Sequence, residues 1–98
     1  MKYTGKSKEI KIPEKILWQK VIGIGSKAFY DCNIESVILP ESITSLGDFS
    51  FSNNQLFDVL VPENVKTIGN GVFENNNISD ILLPEGLTKL GYQAFRNN

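Results

Sequence analysis

The stretch PENVKTIGNGVFENNNISDILL, residues 62–83, recurs in both directions along the chain. Upstream lie PESITSLGDFSFSNNQLFDVLV (40–61) and WQKVIGIGSKAFYDCNIESVIL (18–39), and downstream the shorter PEGLTKLGYQAFRNN (84–98). Phe29, Phe51, Phe73 and Phe95 fall 22 residues apart, and Gly25, Gly47, Gly69 and Gly91 keep the same interval. Pro40, Pro62 and Pro84 do so as well, with Trp18 in the corresponding place of the first unit. A fixed period of this length marks a solenoid, in which each coil stacks its equivalent residues on those of the coil before.

Each column then has a physical task. Val21, Ile43, Val65 and Leu87 form one apolar column and Ile24, Leu46, Ile68 and Leu90 another; both are expected in the core. Ile34-x-x-Val37-x-Leu39, Leu56-x-x-Val59-x-Val61 and Ile78-x-x-Ile81-x-Leu83 end in strand periodicity, with the first, fourth and sixth positions inward. One short strand per coil is therefore expected, pairing in parallel with its neighbours about 4.8 Å away. The Gly column suits a positive φ or a close approach of the next coil, and the Pro column closes each strand where a donor is not needed. After each Gly, Ser26, Asp48 or Asn70 is placed to cap one short helical or 3₁₀ turn. The Phe that ends this turn is expected to fill the middle of its coil.

Composition narrows the chemistry. The chain has 98 residues, 41% of them apolar and 21% charged, and a formal net charge of −1, so its overall field draws in neither nucleic acid nor anionic lipid. It has no His and a single Cys, Cys32, which removes His-based acid–base catalysis, Cys–His nucleophiles, intrachain disulfides and Cys/His zinc sites. No cofactor is implied, and an enzyme is not the expected reading. No run of residues is long and apolar enough for a signal peptide or a membrane span. The pattern breaks off within the fourth unit, as expected of a piece of a longer protein.

Asn53-Asn54, Asn75-Asn76 and Asn97-Asn98 stand where the first unit has Asp31-Cys32. The second residue of each pair, Asn54, Asn76 and by position Cys32, reads as a structural ladder, since a buried amide can both donate to and accept from the backbone where the chain turns. Asn53 and Asn75, one residue earlier, are expected to face solvent.

These residues carry a resemblance. The pattern L-x-x-L-x-L with a downstream N/C position resembles the leucine-rich repeat, and I-G-x-x-[A/S/V]-F-x-x-[C/N]-x-[I/L]-x-x-V-x-L-P resembles its BspA-like variety. The likeness covers roughly residues 18–98, and residues 7–13 fit too, with Ile10 and Ile12 standing where later coils have Val37 and Leu39. It implies an α/β right-handed solenoid, mostly strand and loop, in a bacterial cell-surface or secreted protein whose repeats bind host or matrix proteins. Two departures stand out. Asn replaces the family's common Cys after the Phe in three of four coils, and the stretch between Pro13 and Gly25 is longer than that between Pro40 and Gly47. The insertion, residues 14–22, is expected to form a small hairpin turning near Trp18-Gln19 that covers the first coil. Residues 1–17 thus read as an N-terminal strand and capping insertion, and residues 18–98 as the repeat solenoid.

Other motifs are weak. Thr4-Gly5-Lys6-Ser7 lacks the strand and first glycine of a phosphate-binding loop, and Gly23-Ile24-Gly25 lacks the third glycine of a dinucleotide fingerprint. Asp58 and Asp80 stand one coil apart, but Ser36 occupies that column in the first unit and no cation cage follows. Asn77-Ile78-Ser79 is a formal glycosylation sequon whose Ile is expected inside. Residues 1–27 hold seven Lys against two Glu, which reads as a solvated cap that discourages edge pairing in preference to a basic face for an anionic partner. The leading functional reading is a binding module that presents its sheet to a protein or glycan partner. Ile38, Leu60 and Leu82 form an outward aliphatic row, flanked by Phe57, Ser36, Asp58 and Asp80. A second reading is a structural spacer without a ligand, whose open ends associate end to end.

Overall fold

The computed structural model describes residues 9–12, 15–16, 19–20 and 22–98. Its strands are short: β1 (Glu9–Lys11), β2 (Lys15–Ile16), β3 (Gln19–Lys20), β4 (Gly23–Ile24), β5 (Ser36–Ile38), β6 (Ser45–Leu46), β7 (Asp58–Val59), β8 (Thr67–Ile68) and β9 (Lys89–Leu90). The alternating segments form a first parallel ladder in the order β1-β5-β7, with Ile10 opposite Val37 and Val37 opposite Val59. Ile34, Val37, Leu39, Leu56, Val59 and Val61 are buried, which fixes the register, because a slip of one residue turns every side chain over. The third copy runs alongside without regular strand pairing. Asn77 N–H still donates to the Leu56 carbonyl, but Ile81 and Leu83 are only half-buried, as suits the outermost copy, which has a neighbour on one side.

A second ladder departs from the expectation of one strand per coil. β4, β6, β8 and β9 pair in parallel, with Ile24, Leu46, Ile68 and Leu90 in register. Ile24, Leu46 and Ile68 are buried, whereas Leu90 in the last coil is 48% exposed. The other apolar column behaves alike: Ile43 and Val65 are fully buried and Leu87 is half-buried. Val21 and Trp18 lie outside the described residues. In the insertion, β2 and β3 pair antiparallel, Lys15 with Lys20 and Ile16 with Gln19.

The segments after each Gly correct a second expectation: among the described residues there is no helix. Lys27, Phe49, Gly71 and Gln93 share a column and all have φ between 56° and 59°, and a right-handed helix cannot pass through a left-handed residue. Tight turns result, closed by bonds such as Ala28 N–H to the Gly25 carbonyl and Ser50 N–H to the Gly47 carbonyl. The polar residue after Gly does not cap its own turn. Asp48 Oδ1 accepts from Asn70 N–H, and Asn70 Oδ1 accepts from Tyr92 N–H, both at 2.8 Å and both one coil on. Between these turns runs a third set of coil-to-coil bonds, in which Lys27, Phe29 and Asp31 N–H donate to the carbonyls of Asp48, Ser50 and Ser52. Later coils repeat it.

Gly47, Gly69 and Gly91 have no positive φ, so close approach is what selects them. A Cβ on Gly47 would lie 2.7 Å from Ser26 N and 2.8 Å from the Ile24 carbonyl oxygen, inside the coil before it. At Gly25, in the first coil of the second ladder, the same atom meets nothing within 4 Å. The Phe column fills the centre: Phe29, Phe51, Phe73 and Phe95 stack face to face at centroid distances of 5.2, 5.9 and 5.6 Å.

Beside that stack lies an imperfection. Ser50 is fully buried and its hydroxyl has no hydrogen-bond partner, while Ala28, Val72 and Ala94 fill its column in the other coils. Ser50→Ala is expected to stabilise the fold by about 1 kcal/mol, because the hydroxyl is desolvated without compensation. For a chain of this size that raises Tm by roughly 4–8 °C. A lower Tm in a thermal scan would mean that the hydroxyl has a partner.

Candidate partner-binding face

The first ladder sets one side chain of each strand inward and the next outward. Ile38 at the end of β5, Leu60 just after β7 and Leu82 in the third copy face solvent, with exposures of 61%, 71% and 82%. Phe57 is 59% exposed. Ser36 is half-buried and Asp80 exposed, and Asp58 pairs in register with Ser36 on the neighbouring strand. A depression of about 260 Å³ brings some of these together: Ser36, Ile38 and Leu60 line it together with Glu41 and Pro62. Phe57, Asp58, Asp80 and Leu82 are not part of that lining.

Glu41 marks residues that the sequence reading passed over. Glu41, Glu63 and Glu85 are all exposed, one per coil, and each follows the Pro that ends a copy of the strand. The Pro-Glu dipeptide repeated at 40–41, 62–63 and 84–85 is the signal that finds them.

On the turn side the Asn columns form two ladders. Asn54 Oδ1 accepts from Cys32 N–H and Ile34 N–H, both at 3.0 Å, and its Nδ2 donates to the carbonyls of Phe29, Phe51 and Ser52. Asn76 repeats the scheme with Leu56 N–H and the Phe51, Phe73 and Glu74 carbonyls, and Asn98 repeats it again with Ile78 N–H and the carbonyls of Phe73, Phe95 and Arg96. Each side chain therefore ties its own coil to the one before. Cys32 is half-buried, and its thiol donates to the Tyr30 carbonyl at 3.3 Å, the counterpart of the Asn54 bond to Ser52.

The outer Asn column is more ordered than the expectation of solvent-facing side chains implies, and Asn53 is half-buried. Asn53, Asn75 and Asn97, with Asp31, all have φ between 54° and 58°. Their amides form a chain along the surface, from Asn97 to Asn75 to Asn53 to the Tyr30 hydroxyl. Lys27, Tyr30, Phe49, Ser52, Asn53, Glu74 and Asn75 surround a depression of about 290 Å³ here, with the Lys27 amine 5.9 Å from the Tyr30 ring centre. Among the described residues no group of three or more His, Cys, Asp or Glu side chains is placed to hold a metal ion, and no helix is long and apolar enough to cross a membrane.

The model of the BspA type leucine rich repeat region matches residues 2–98, in six copies. This chain belongs to that family. The match takes in β1, whose Ile10 occupies the place of Val37 in the ladder. BspA-type repeats are leucine-rich repeats, which generally serve as protein-interaction modules. The crystal structure of a T. pallidum leucine-rich-repeat protein is similar, with a TM-score of 0.71 and 25% identity over 97% of this chain. This BspA-type chain spans 56% of that protein's length. No curated protein matches it.

Proposed function

We propose that this BspA-type array is a non-catalytic protein-binding module of a bacterial cell-surface or secreted protein, meeting its partner through the outward side of the first ladder. One observation carries the reading: an aliphatic row, Ile38, Leu60 and Leu82, stands in solvent with Phe57 beside it, while the inward Val37, Leu39, Val59 and Val61 of the first two copies are buried. A contiguous apolar strip on a folded domain marks an interaction site far more often than a single exposed Leu does. Ser36 and Asp80 supply polar contacts at its edge, and Asp58 shares the register column of Ser36. The absence of His from the sequence supports a binding role over a catalytic one. The surface or secreted location and the host or matrix partner come from the family resemblance.

Biolayer interferometry against a panel of immobilised extracellular-matrix proteins tests this. Saturable capture by at least one of them is expected, weakened about tenfold or more by Leu60→Ala combined with Phe57→Ala, since truncating central apolar anchors dominates most interfaces. The circular-dichroism spectrum and Tm of the double variant should stay close to those of the wild type, as for other surface changes. Absence of capture, or capture that the double variant leaves intact, overturns the reading.

A further inference from the structure

We infer that the partner of this face is a basic amphipathic polypeptide segment, one that sets aliphatic side chains between Lys or Arg residues; the inference rests on the sheet-face reading above. The aliphatic row is bordered by acid, most fully on the side of the Pro-Glu dipeptides. On one side runs the register column of Ser36 and Asp58, continued by the exposed Asp80. On the other run Glu41, Glu63 and Glu85, each three residues beyond its aliphatic neighbour and each exposed. Glu41 and Ser36 line the same depression as Ile38 and Leu60, so apolar floor and carboxylate rim belong to one feature.

From residue 28 onward the basic residues are elsewhere. Residues 28–98 contain Lys66, Lys89 and Arg96 and no other cation. Lys89 lies in β9 of the second ladder, Lys66 next to β8 of the same ladder, and Arg96 accepts from Asn75 N–H on the turn side. Among the described residues of the first ladder, only Lys11, in register with Ile38, interrupts the acidic surround.

Burying the row under a partner brings the rim carboxylates close to that partner's backbone and side chains. A cationic flank pairs with them, a neutral one leaves them partly desolvated, and an acidic one is repelled. Apolar contact supplies the affinity and the rim selects the partner. The row therefore favours a segment whose Leu-like side chains cross the coils while Lys or Arg reach outward to the Glu column.

Three synthetic peptides of equal length test it by fluorescence anisotropy: Leu with Lys, Leu with Gln, and Leu with Glu. The Leu/Lys peptide is expected to bind saturably, about tenfold tighter than the Leu/Gln peptide, with the difference shrinking as salt screens the rim. The Leu/Glu peptide should not bind. Glu41→Gln, Glu63→Gln and Glu85→Gln together should remove most of the preference for Lys, while Glu74→Gln on the turn side should leave it unchanged. Equal binding of the Leu/Lys and Leu/Gln peptides, or a preference that survives the triple substitution, overturns the inference. If the Leu/Gln peptide binds as well as the Leu/Lys peptide and Leu60→Ala with Phe57→Ala abolishes both, the sheet-face reading stands and the basic partner falls. If that double substitution leaves all binding unchanged, both fall.

Discussion

Asn54→Leu is expected to abolish folding in the absence of denaturant. The Asn54 amide satisfies Cys32 N–H and Ile34 N–H with one oxygen and reaches the Phe29, Phe51 and Ser52 carbonyls with its nitrogen. Leu has nearly the same branching but no polar atom, so both donors lose their acceptor inside the fold. Each orphaned group costs about 1–3 kcal/mol, and the larger methyl groups add packing strain. A solenoid this small has a total stability of about 5 kcal/mol, near the bottom of the usual range, so the loss consumes it. Urea titration followed by circular dichroism should show no cooperative transition for Asn54→Leu. Asn98→Leu, at an exposed position, should retain one. Equal midpoints for Asn54→Leu and the wild type would mean that the network contributes nothing. Asn53→Ser is expected to cost more than a surface change usually does. With φ at 57° and an amide bonded to the Tyr30 hydroxyl, Asn53 occupies a left-handed position that Asn tolerates better than most residues, and about 1 kcal/mol is expected to be lost.

Phe51→Ala is expected to cost about 3–5 kcal/mol, the range for truncating a buried aromatic. Phe51 is fully buried and lies between two parallel rings, Phe29 at 5.2 Å and Phe73 at 5.9 Å. Its removal leaves a ring-sized void and breaks two stacked pairs, worth about 0.5–1.5 kcal/mol each beyond area burial. Phe95→Ala is the comparison: half-buried and stacked on Phe73 alone, it should lose about half as much. Measured in a stabilising osmolyte so that both variants fold, the urea midpoint of Phe51→Ala should fall well below that of Phe95→Ala. Equal midpoints would show that position in the stack is energetically irrelevant.

Much of this architecture could be read from residue spacing, and the reasons differ from column to column. Phe, Gly and the inward aliphatics were legible because each coil presents them to an environment set by its neighbours, so the same chemistry recurs every 22 residues. The outward row Ile38, Leu60 and Leu82 followed from strand alternation once Val37 and Leu39 were assigned inward. Hidden from that reading was the second ladder, whose strands, such as Ser45–Leu46, have two residues and thus too few to show a period. The left-handed column was hidden too, since only Gly71 announces it while Lys27, Phe49 and Gln93 adopt the same φ. Bonds across the turns hold those residues in place, among them Phe49 N–H to the Asn70 carbonyl and Gly71 N–H to the Tyr92 carbonyl; local propensity has no access to such contacts. Glu41, Glu63 and Glu85 were visible as a motif, but only the depression shared by Glu41 and Leu60 ties them to the aliphatic row.

The bonds of Asn54 and Asn76 to partners 20 and 25 residues earlier, like the Gly that nestles against the coil before it, work at one spacing only. Within the stack, chain length therefore comes in indivisible steps. Joining Ile43 directly to Lys66 would excise 22 residues and give every remaining side chain a neighbour of the type it already had, whereas excising 21 or 23 would set side chains where glycines are required and turn the Phe column outward. Heritable growth or shrinkage of such an array is consequently free of repacking when it proceeds by whole coils, and the exposed aliphatic row lengthens or shortens with it by one residue and one pair of flanking positions at a time.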